Sequence, residues 1–94
     1  MQFAKQLRQR VIDGDITTSI RIWQSPRVKP GGRYRLGDGH VVVEQIRALA
    51  FDDITPDMAR ASGFGSVAEL LRTAVHGSGR NVYFVTFHYE ESEG

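Results

Sequence analysis

The stretch NVYFVTFHY, residues 81–89, constrains the fold of this chain more than any other feature of its sequence. Its β-branched and aromatic residues favour a strand, and both alternating sets of side chains are largely apolar. A strand that is apolar on both faces has to be covered on both, as the central strands of a sheet are. We therefore expect the last strand in the sequence to lie in the middle of the sheet.

The remaining segments provide helices and strands to surround it. Phe3, Leu7 and Val11 recur at four-residue spacing and predict an amphipathic helix that ends at Gly14, a residue able to adopt a left-handed conformation. The predicted elements are helices over residues 2–13, 54–62 and 66–74 and strands over residues 17–23, 33–37, 40–51 and 81–89. This order predicts an α+β domain, in which a small curled sheet or partly closed barrel packs against an N-terminal helix and two short helices before the last strand.

Local signals support the two short helices. Thr55 is a suitable N-cap, and Pro56 suits the first helical position because its missing N–H would have no helical partner there. Ser66 and Glu69 form the spacing of a capping box for the second helix. Ser66 is therefore interpreted as a cap and not as a nucleophile.

Length and composition indicate one small domain. A chain of 94 residues can bury one modest core, and we expect a single domain over residues 1–90 and a disordered acidic tail over residues 91–94. The sequence has no cysteine, which excludes a disulfide framework and a thiolate metal site. It also has no apolar run of about 20 residues and no apolar signal-peptide region at its start. These features predict a cytoplasmic protein.

Charge is divided unevenly along the chain. Residues 1–40 carry eight Lys or Arg and three Asp or Glu, whereas residues 41–94 carry four and eight, for a net charge of +1 overall. Residues 16–37 hold five basic residues and no acidic one, and two aromatic residues lie among them. The basic residues are Arg21, Arg27, Lys29, Arg33 and Arg35, and the aromatic ones are Trp23 and Tyr34.

The basic stretch includes one strand face with distinctive chemistry. Alternation along residues 17–23 places Thr17, Ser19, Arg21 and Trp23 on one face, with Thr18, Ile20 and Ile22 on the other. Hydroxyl groups, a guanidinium and an indole can together hydrogen-bond a base, hold a phosphate and stack on a ring. Arg27, Lys29, Arg33 and Arg35 would then contact the nucleic-acid backbone. The alternative is a core tryptophan beside a solvated basic face.

No metal, cofactor or catalytic motif is predicted. His40, His76 and His88 are far apart in sequence, with no carboxylate at ligand spacing. We interpret His76 as a cation near a helix C-terminus and His88 as a half-buried packing residue. The glycine-rich segments are too short to cradle a phosphate, and the serines lack a neighbouring triad pattern.

The segments GDITTSIRIW, RVKPGGRYRLG and NVYFVTFHY together resemble the ASCH domain, over nearly the whole chain. This resemblance implies a PUA-like β-barrel fold related to RNA-binding domains. Gly14, Ser19 and Arg21 match the signature glycine, polar residue and arginine of the family. The later turn of the family is matched by Gly31, Gly32 and Tyr34.

The chain departs from the family at two catalytic positions. Some bacterial ASCH proteins hydrolyse N4-acetylcytidine with a lysine, a threonine and a glutamate. Ile16 stands where the lysine is expected, Ser19 is the hydroxyl counterpart of the threonine, and the glutamate position falls near Ser62 or Gly63. The resemblance therefore does not carry the amidohydrolase mechanism over to this chain.

The function predicted from the sequence is binding of RNA or a nucleoside- or nucleotide-like ligand. In this hypothesis Thr17, Ser19, Arg21 and Trp23 form the cleft. One alternative is a hydrolase of modified nucleosides, or a ribonuclease, with a non-standard active site. A second alternative is a protein-interaction module whose basic face meets an acidic partner.

Overall fold

The protein forms an antiparallel sheet with helices packed on both faces. A computed structural model describes residues 2–74 and 80–91. The elements are α1 (Lys5–Ile12), β1 (Thr18–Trp23), β2 (Arg33–Leu36), β3 (Gly39–Leu49), a 3₁₀ turn (Phe51–Asp53), α2 (Pro56–Ala61), α3 (Val67–Ala74) and β4 (Asn81–Glu91). The predicted α+β class is confirmed, and the four-stranded sheet is curled into a half-barrel.

The strand order is β1-β4-β3-β2, so the last strand lies between the first and the third, as its two apolar faces predict. All three pairings are antiparallel. The register of β3 against β4 shifts between Val43 and Gln45, which places Glu44 at a bulge. A bulge bends the strand that contains it and increases its twist, so this one contributes to the curl of the sheet.

The core consists of two apolar clusters, one on each face of the sheet. On one face, Phe3, Leu7 and Val11 pack against Val85 and Phe87 of β4. On the other face, side chains of α2 and α3 pack against alternate residues of the strands; this second cluster contains Ile20, Ile22, Ile54, Ala59, Leu70, Ala74 and Val82. Trp23 belongs to the first cluster, so the predicted division of β1 into two faces is confirmed.

Two helices end at glycines with positive φ. Gly14 (φ 82°) follows α1, and Gly63 (φ 95°) follows the C-cap of α2. At the second site Gly63 donates to the Arg60 carbonyl, and Phe64 donates to the Ala59 carbonyl at 2.9 Å, which is the Schellman arrangement. The chain therefore reverses sharply after α2 and directs Phe64 towards the sheet.

The predicted helix starts are largely confirmed. Thr55 Oγ1 accepts a hydrogen bond from the Met58 N–H at 3.1 Å, as expected of an N-cap. Ser66 Oγ accepts from the Glu69 N–H, but the Glu69 carboxylate accepts from Gly65 and not from Ser66. The reciprocal half of the predicted capping box is therefore wrong, because the Glu69 carboxylate accepts from the N–H of the preceding residue, Gly65.

Several predicted boundaries differ from the structure by one to three residues. The helix begins at Lys5, because residues before it are extended and lay Phe3 across the sheet against Phe87, with ring centroids 5.4 Å apart. β3 ends at Leu49 and Phe51 lies in the 3₁₀ turn, where the Asp53 carboxylate accepts from the Ala50 N–H.

At the C-terminal end, Glu91 pairs with Gly39 and is the last residue of β4, although we predicted it in the tail. His76 and its turn, like residues 92–94, lie outside the described residues. Within residues 2–74 and 80–91, none of the helices has the length and apolar character needed to cross a membrane.

Candidate functional site

A cavity with a volume of about 800 Å³ runs along the edge of β1 that pairs with no described strand. We call it the edge cavity. One wall comes from the segment that begins α1, with Phe3 and Leu7, and the opposite wall from the α2–α3 side, with Phe64 and Ala74. Residues 19–24 of the β1 edge lie between these walls, and Arg27 and Val28 of the following loop close one side.

Arg21 places its guanidinium in this cavity. Its Nε donates a hydrogen bond to Ser19 Oγ at 2.7 Å, and its guanidinium carbon lies 4.9 Å from the centre of the Phe3 ring. Among the described residues, no carboxylate forms a salt bridge with it. The guanidinium is therefore held by one hydroxyl and one aromatic face, and its terminal N–H groups are available to a ligand.

The electrostatics of Arg21 reflect this setting. Burial lowers the pKa of its guanidinium to about 10, so the group stays charged at neutral pH. A charge that is removed from water without an ionic partner destabilises the folded state. An anionic ligand would supply the missing partner, and such perturbed groups in cavities are typical of functional sites.

The other predicted residues of the β1 face lie in different positions. Ser19 and Trp23 both line the edge cavity, and both are largely buried, at 8% and 9% exposure. The Trp23 ring packs against the Tyr83 ring with centroids 5.9 Å apart, so this indole forms a wall of the cavity and also part of the core. Thr17 precedes β1, is exposed, and does not line the cavity.

The loop after β1 holds Arg27 at the cavity. Val28 is buried in the first core cluster and anchors the loop. The Lys29 N–H donates to the Tyr34 hydroxyl at 3.1 Å, and Gly31 donates to the Val43 carbonyl at 2.7 Å. These contacts give a loop rich in proline and glycine a defined course, and Arg27 is the one of its two basic residues that reaches the cavity.

Arg33 and Arg35 do not line the edge cavity. Arg33 pairs with Glu90 at 3.0 Å across the sheet, and both side chains are about half exposed. Arg35 borders a smaller cavity of about 400 Å³, together with Arg8 of α1. Gln2 and Phe3 line both cavities, so the two adjoin at the N-terminal segment.

Arg33 is part of a separate group of ionisable side chains on the sheet, which we call the charged surface. It consists of Arg33, Glu44, His88 and Glu90. His88 Nδ1 lies 2.9 Å from Glu44, and His88 Nε2 lies 2.9 Å from Glu90. The pKa of His88 is raised, mainly by its hydrogen bond with Glu90 and next by that with Glu44. The pKa of Glu90 is lowered, mainly by its hydrogen bond with His88 and next by that with Arg33.

The prediction that His88 is half-buried is confirmed, but its ring makes polar contacts and is not a packing residue. Its side chain is 44% exposed and serves as a polar bridge, because the bulge at Glu44 brings a second carboxylate within reach of its ring.

The described residues lining the edge cavity include hydroxyls, amides and guanidiniums but no carboxylate, imidazole or amine. Across residues 2–74 and 80–91, no group of three or more His, Asp or Glu residues is placed to hold a metal ion. The chemistry of the cavity is therefore that of hydrogen bonding, aromatic contact and attraction of anions.

Sequence reasoning missed most of the residues that line the edge cavity, among them Phe3, Leu7, Ser62 and Phe64. Phe3 and Leu7 were interpreted only as the apolar stripe of α1, and Phe64 only as part of a helix break. Ser62 is 3% exposed and its hydroxyl lies 3.2 Å from Thr18 Oγ1, which joins the end of α2 to β1. One signal in the sequence could have identified Phe64. It is a large apolar residue between two glycines, Gly63 and Gly65, and such a side chain needs a packing partner.

Comparisons of the chain with protein-family models, curated proteins and solved structures find no match.

Proposed function

We propose that the edge cavity binds RNA or a nucleotide-like ligand, with Arg21 holding a phosphate or a base edge. The observation that carries this proposal is a mostly buried guanidinium that points into a cavity and has no carboxylate partner among the described residues. Aromatic rings beside it would contact a base, and Arg27 would add a second positive charge at one side. Ser19 orients Arg21 through its 2.7 Å hydrogen bond.

The size of the cavity favours one nucleotide unit within it. About 800 Å³ lies in the range of small-molecule sites, and the lining combines apolar and aromatic side chains with hydroxyl, amide and guanidinium groups. Trp23 is too buried to be an exposed stacking platform for a long strand. RNA would therefore insert one nucleotide, while neighbouring phosphates contact Arg27.

The same proposal includes membership of the ASCH family, with its PUA-like fold and a cytoplasmic location. The curled half-barrel is compatible with such a fold. A second support comes from the two catalytic positions of the family that this chain lacks. Ile16 and Gly63 adjoin in space, since a Cβ added to Gly63 would lie 2.7 Å from the Ile16 side chain. The positions that the resemblance assigns to one active site are thus neighbours.

Binding is favoured over hydrolysis by the same neighbourhood. Ile16 is 1% exposed and packs in the core, and Gly63 has no side chain. The position of the family's lysine and glutamate is therefore filled by an apolar contact, and no general base from the described residues replaces them.

Fluorescence of Trp23 tests the proposal, because it is the one tryptophan of the chain and lines the cavity. The protein is titrated with a short single-stranded RNA and with nucleoside monophosphates at two salt concentrations. We expect a ligand-dependent change for both, and a stronger salt dependence for RNA because it makes more phosphate contacts. No response to any of these ligands, with no binding detected by calorimetry, would contradict the proposal.

Arg21→Met is the decisive variant, and Arg47→Met is its matched control. Arg47 also lies on a strand with its guanidinium over a phenylalanine, 5.7 Å from the Phe84 ring, but it is exposed and outside the edge cavity. We expect R21M to weaken binding by about 2 kcal/mol or more, about thirtyfold, and R47M to leave it nearly unchanged. Equal losses in the two variants would show that net charge alone causes the attraction.

A further inference from the structure

Two arginines from different elements meet at Phe3, in the segment before α1. The guanidinium carbon of Arg21, from β1, lies 4.9 Å from the centre of the Phe3 ring. The Phe3 carbonyl accepts a hydrogen bond at 3.2 Å from Nε of Arg8, which belongs to α1. Arg21 lines the edge cavity, whereas Arg8 lines the smaller cavity of about 400 Å³. One residue thus separates two guanidiniums that face different cavities.

Arg8 has no acidic partner in the part of the chain that the structure describes. Within residues 2–74 and 80–91 it forms no salt bridge, and unlike Arg21 it is exposed to water. The bond from its Nε to Phe3 holds the inner end of the guanidinium and leaves the two terminal amino groups to another acceptor. Arg8 is therefore a positioned cation that a ligand can reach.

Arg35 also borders the smaller cavity, but its side chain leaves the strand on the opposite face of the sheet. Its neighbours Tyr34 and Leu36 pack in or against the first core cluster, and successive side chains of a strand alternate between the two faces. We therefore assign an anion in the smaller cavity to Arg8 and not to Arg35.

The two cavities adjoin, and their lining carries positive charge only. Gln2 lines both and is exposed, so a ligand can pass over it from one cavity to the other. None of the described residues that line either cavity has a carboxylate. Arg27 lines the edge cavity alone, so cations extend from Arg27 past Arg21 to Arg8. A succession of cations without acidic residues suits a ligand in which phosphates recur along a chain.

We propose that RNA crosses the segment before α1: one nucleotide enters the edge cavity with one of its phosphates on Arg21, and its other phosphate passes over Gln2 to Arg8 in the smaller cavity. This inference rests on the proposed function and adds to it the course of the strand. On the other side of the inserted nucleotide the strand continues towards Arg27. The protein thereby distinguishes a nucleotide within a strand from a free mononucleotide.

A nucleoside 3′,5′-bisphosphate tests the inference, because it carries one phosphate on each side of a single nucleotide. Calorimetry on the full chain compares its affinity with those of the matching 3′- and 5′-monophosphates. The nucleoside 5′-diphosphate serves as the ligand control, since it also has two phosphates but carries both on one side. We expect the bisphosphate to bind about fivefold more tightly than either the 5′-diphosphate or the better monophosphate.

Arg8→Gln removes the proposed second phosphate contact, and Arg10→Gln is its matched control. Arg10 is another exposed arginine of α1, but it lines neither cavity. R8Q should abolish the fivefold gain of the bisphosphate and leave the affinity of the better monophosphate, whose phosphate is on Arg21, nearly unchanged. R10Q should retain the gain. With a short single-stranded RNA, R8Q should also reduce the slope of log affinity against log salt by about one.

Several outcomes separate this inference from the proposed function. Monophosphates that bind as tightly as the bisphosphate would overturn the inference and leave the proposed function standing. The same holds if R8Q weakens both ligands equally, since Arg8 would then act by holding Phe3 against Arg21. Equal losses in R8Q and R10Q would show an effect of net charge, and an equal gain for the 5′-diphosphate would show recognition of adjacent phosphates; either would overturn the inference. Absence of binding by all these ligands and by RNA would overturn both proposals.

Discussion

Arg21 and Arg33 come from the same basic stretch of sequence but have opposite electrostatic surroundings. Arg33 lies on the charged surface, where Glu90 neutralises it at 3.0 Å and both groups remain open to water. Arg21 lies in the edge cavity, where burial lowers its pKa to about 10 and no described carboxylate balances its charge. The comparison teaches that a cluster of basic residues indicates a binding site only where the fold leaves a charge without a partner.

The largest expected effect concerns Gly63, where the turn after α2 lies close to the side chains of Leu7 and Ile16. A Cβ on Gly63 would lie 2.7 Å from atoms of both Leu7 and Ile16, at a φ of 95° that disfavours other residues. Gly14 has a similar φ of 82°, but nothing lies within 4 Å of an added Cβ. We expect G63A to lower the free energy of unfolding by about 2–3 kcal/mol and G14A by about 1 kcal/mol.

Thermal denaturation of the two glycine variants measures the difference. G63A should lower the Tm by roughly 10 °C or more, and clearly more than G14A does. G14A introduces the same kind of backbone strain without the close contacts. The additional loss of stability in G63A therefore measures how tightly the turn after α2 packs against Leu7 and Ile16. Equal losses would show that this contact is not tightly packed.

A smaller effect compares Arg27, at the edge cavity, with Arg33, on the charged surface. We expect R27Q to weaken binding of a short single-stranded RNA and to reduce the slope of log affinity against log salt by about one. R33Q should change affinity by no more than about twofold, because Glu90 already neutralises this arginine in the free protein. A larger loss in R33Q than in R27Q would reverse the comparison and place the RNA on the charged surface.

The smallest effect is the pH dependence of the charged surface. The pKa of His88 is raised from 6.5, so its stabilisation is complete below about 6.5 and is lost as pH rises through the raised pKa. The pKa of Glu90 is lowered from 4.5, so its stabilisation is present above about 4.5 and is lost as pH falls through the lowered pKa. Both contributions are present together between these two values.

Melting curves at about pH 5.5 and about pH 8.5 test this sign. The wild-type protein should lose slightly more stability than H88Q on going to the higher pH, and the difference should be small because both side chains are exposed. A gain in stability of the wild type relative to H88Q at the higher pH would contradict the assignment.

Much of the fold follows from local patterns in the sequence. The two apolar faces of residues 81–89 predict the central strand, and alternation along β1 places Ser19, Arg21 and Trp23 on one face. Gly14 and Thr55 mark helix ends by requirements of backbone conformation and capping that act within a few residues. These features are predictable because their causes lie within one element.

The remaining features depend on contacts between distant segments. Arg33 and Glu90 are 57 positions apart, so no local pattern shows that this arginine is neutralised. Phe3 and Phe64 both line the edge cavity because of where the helices and the segments beside them pack on the sheet. The position of β1 at the edge follows from the strand order, which places β4 on one side of it and no described strand on the other.

The most direct test of the central claim is the thermal stability of wild type and Arg21→Met, each measured with and without saturating nucleoside monophosphate. If Arg21 is a buried charge without an anionic partner, the free energy of unfolding of R21M without ligand should exceed that of wild type by about 1 kcal/mol or more. Ligand should then raise the Tm of wild type and leave that of R21M nearly unchanged. A less stable R21M that gains as much from the ligand as wild type would contradict the claim, because Arg21 would then be a structural residue and the ligand would bind elsewhere.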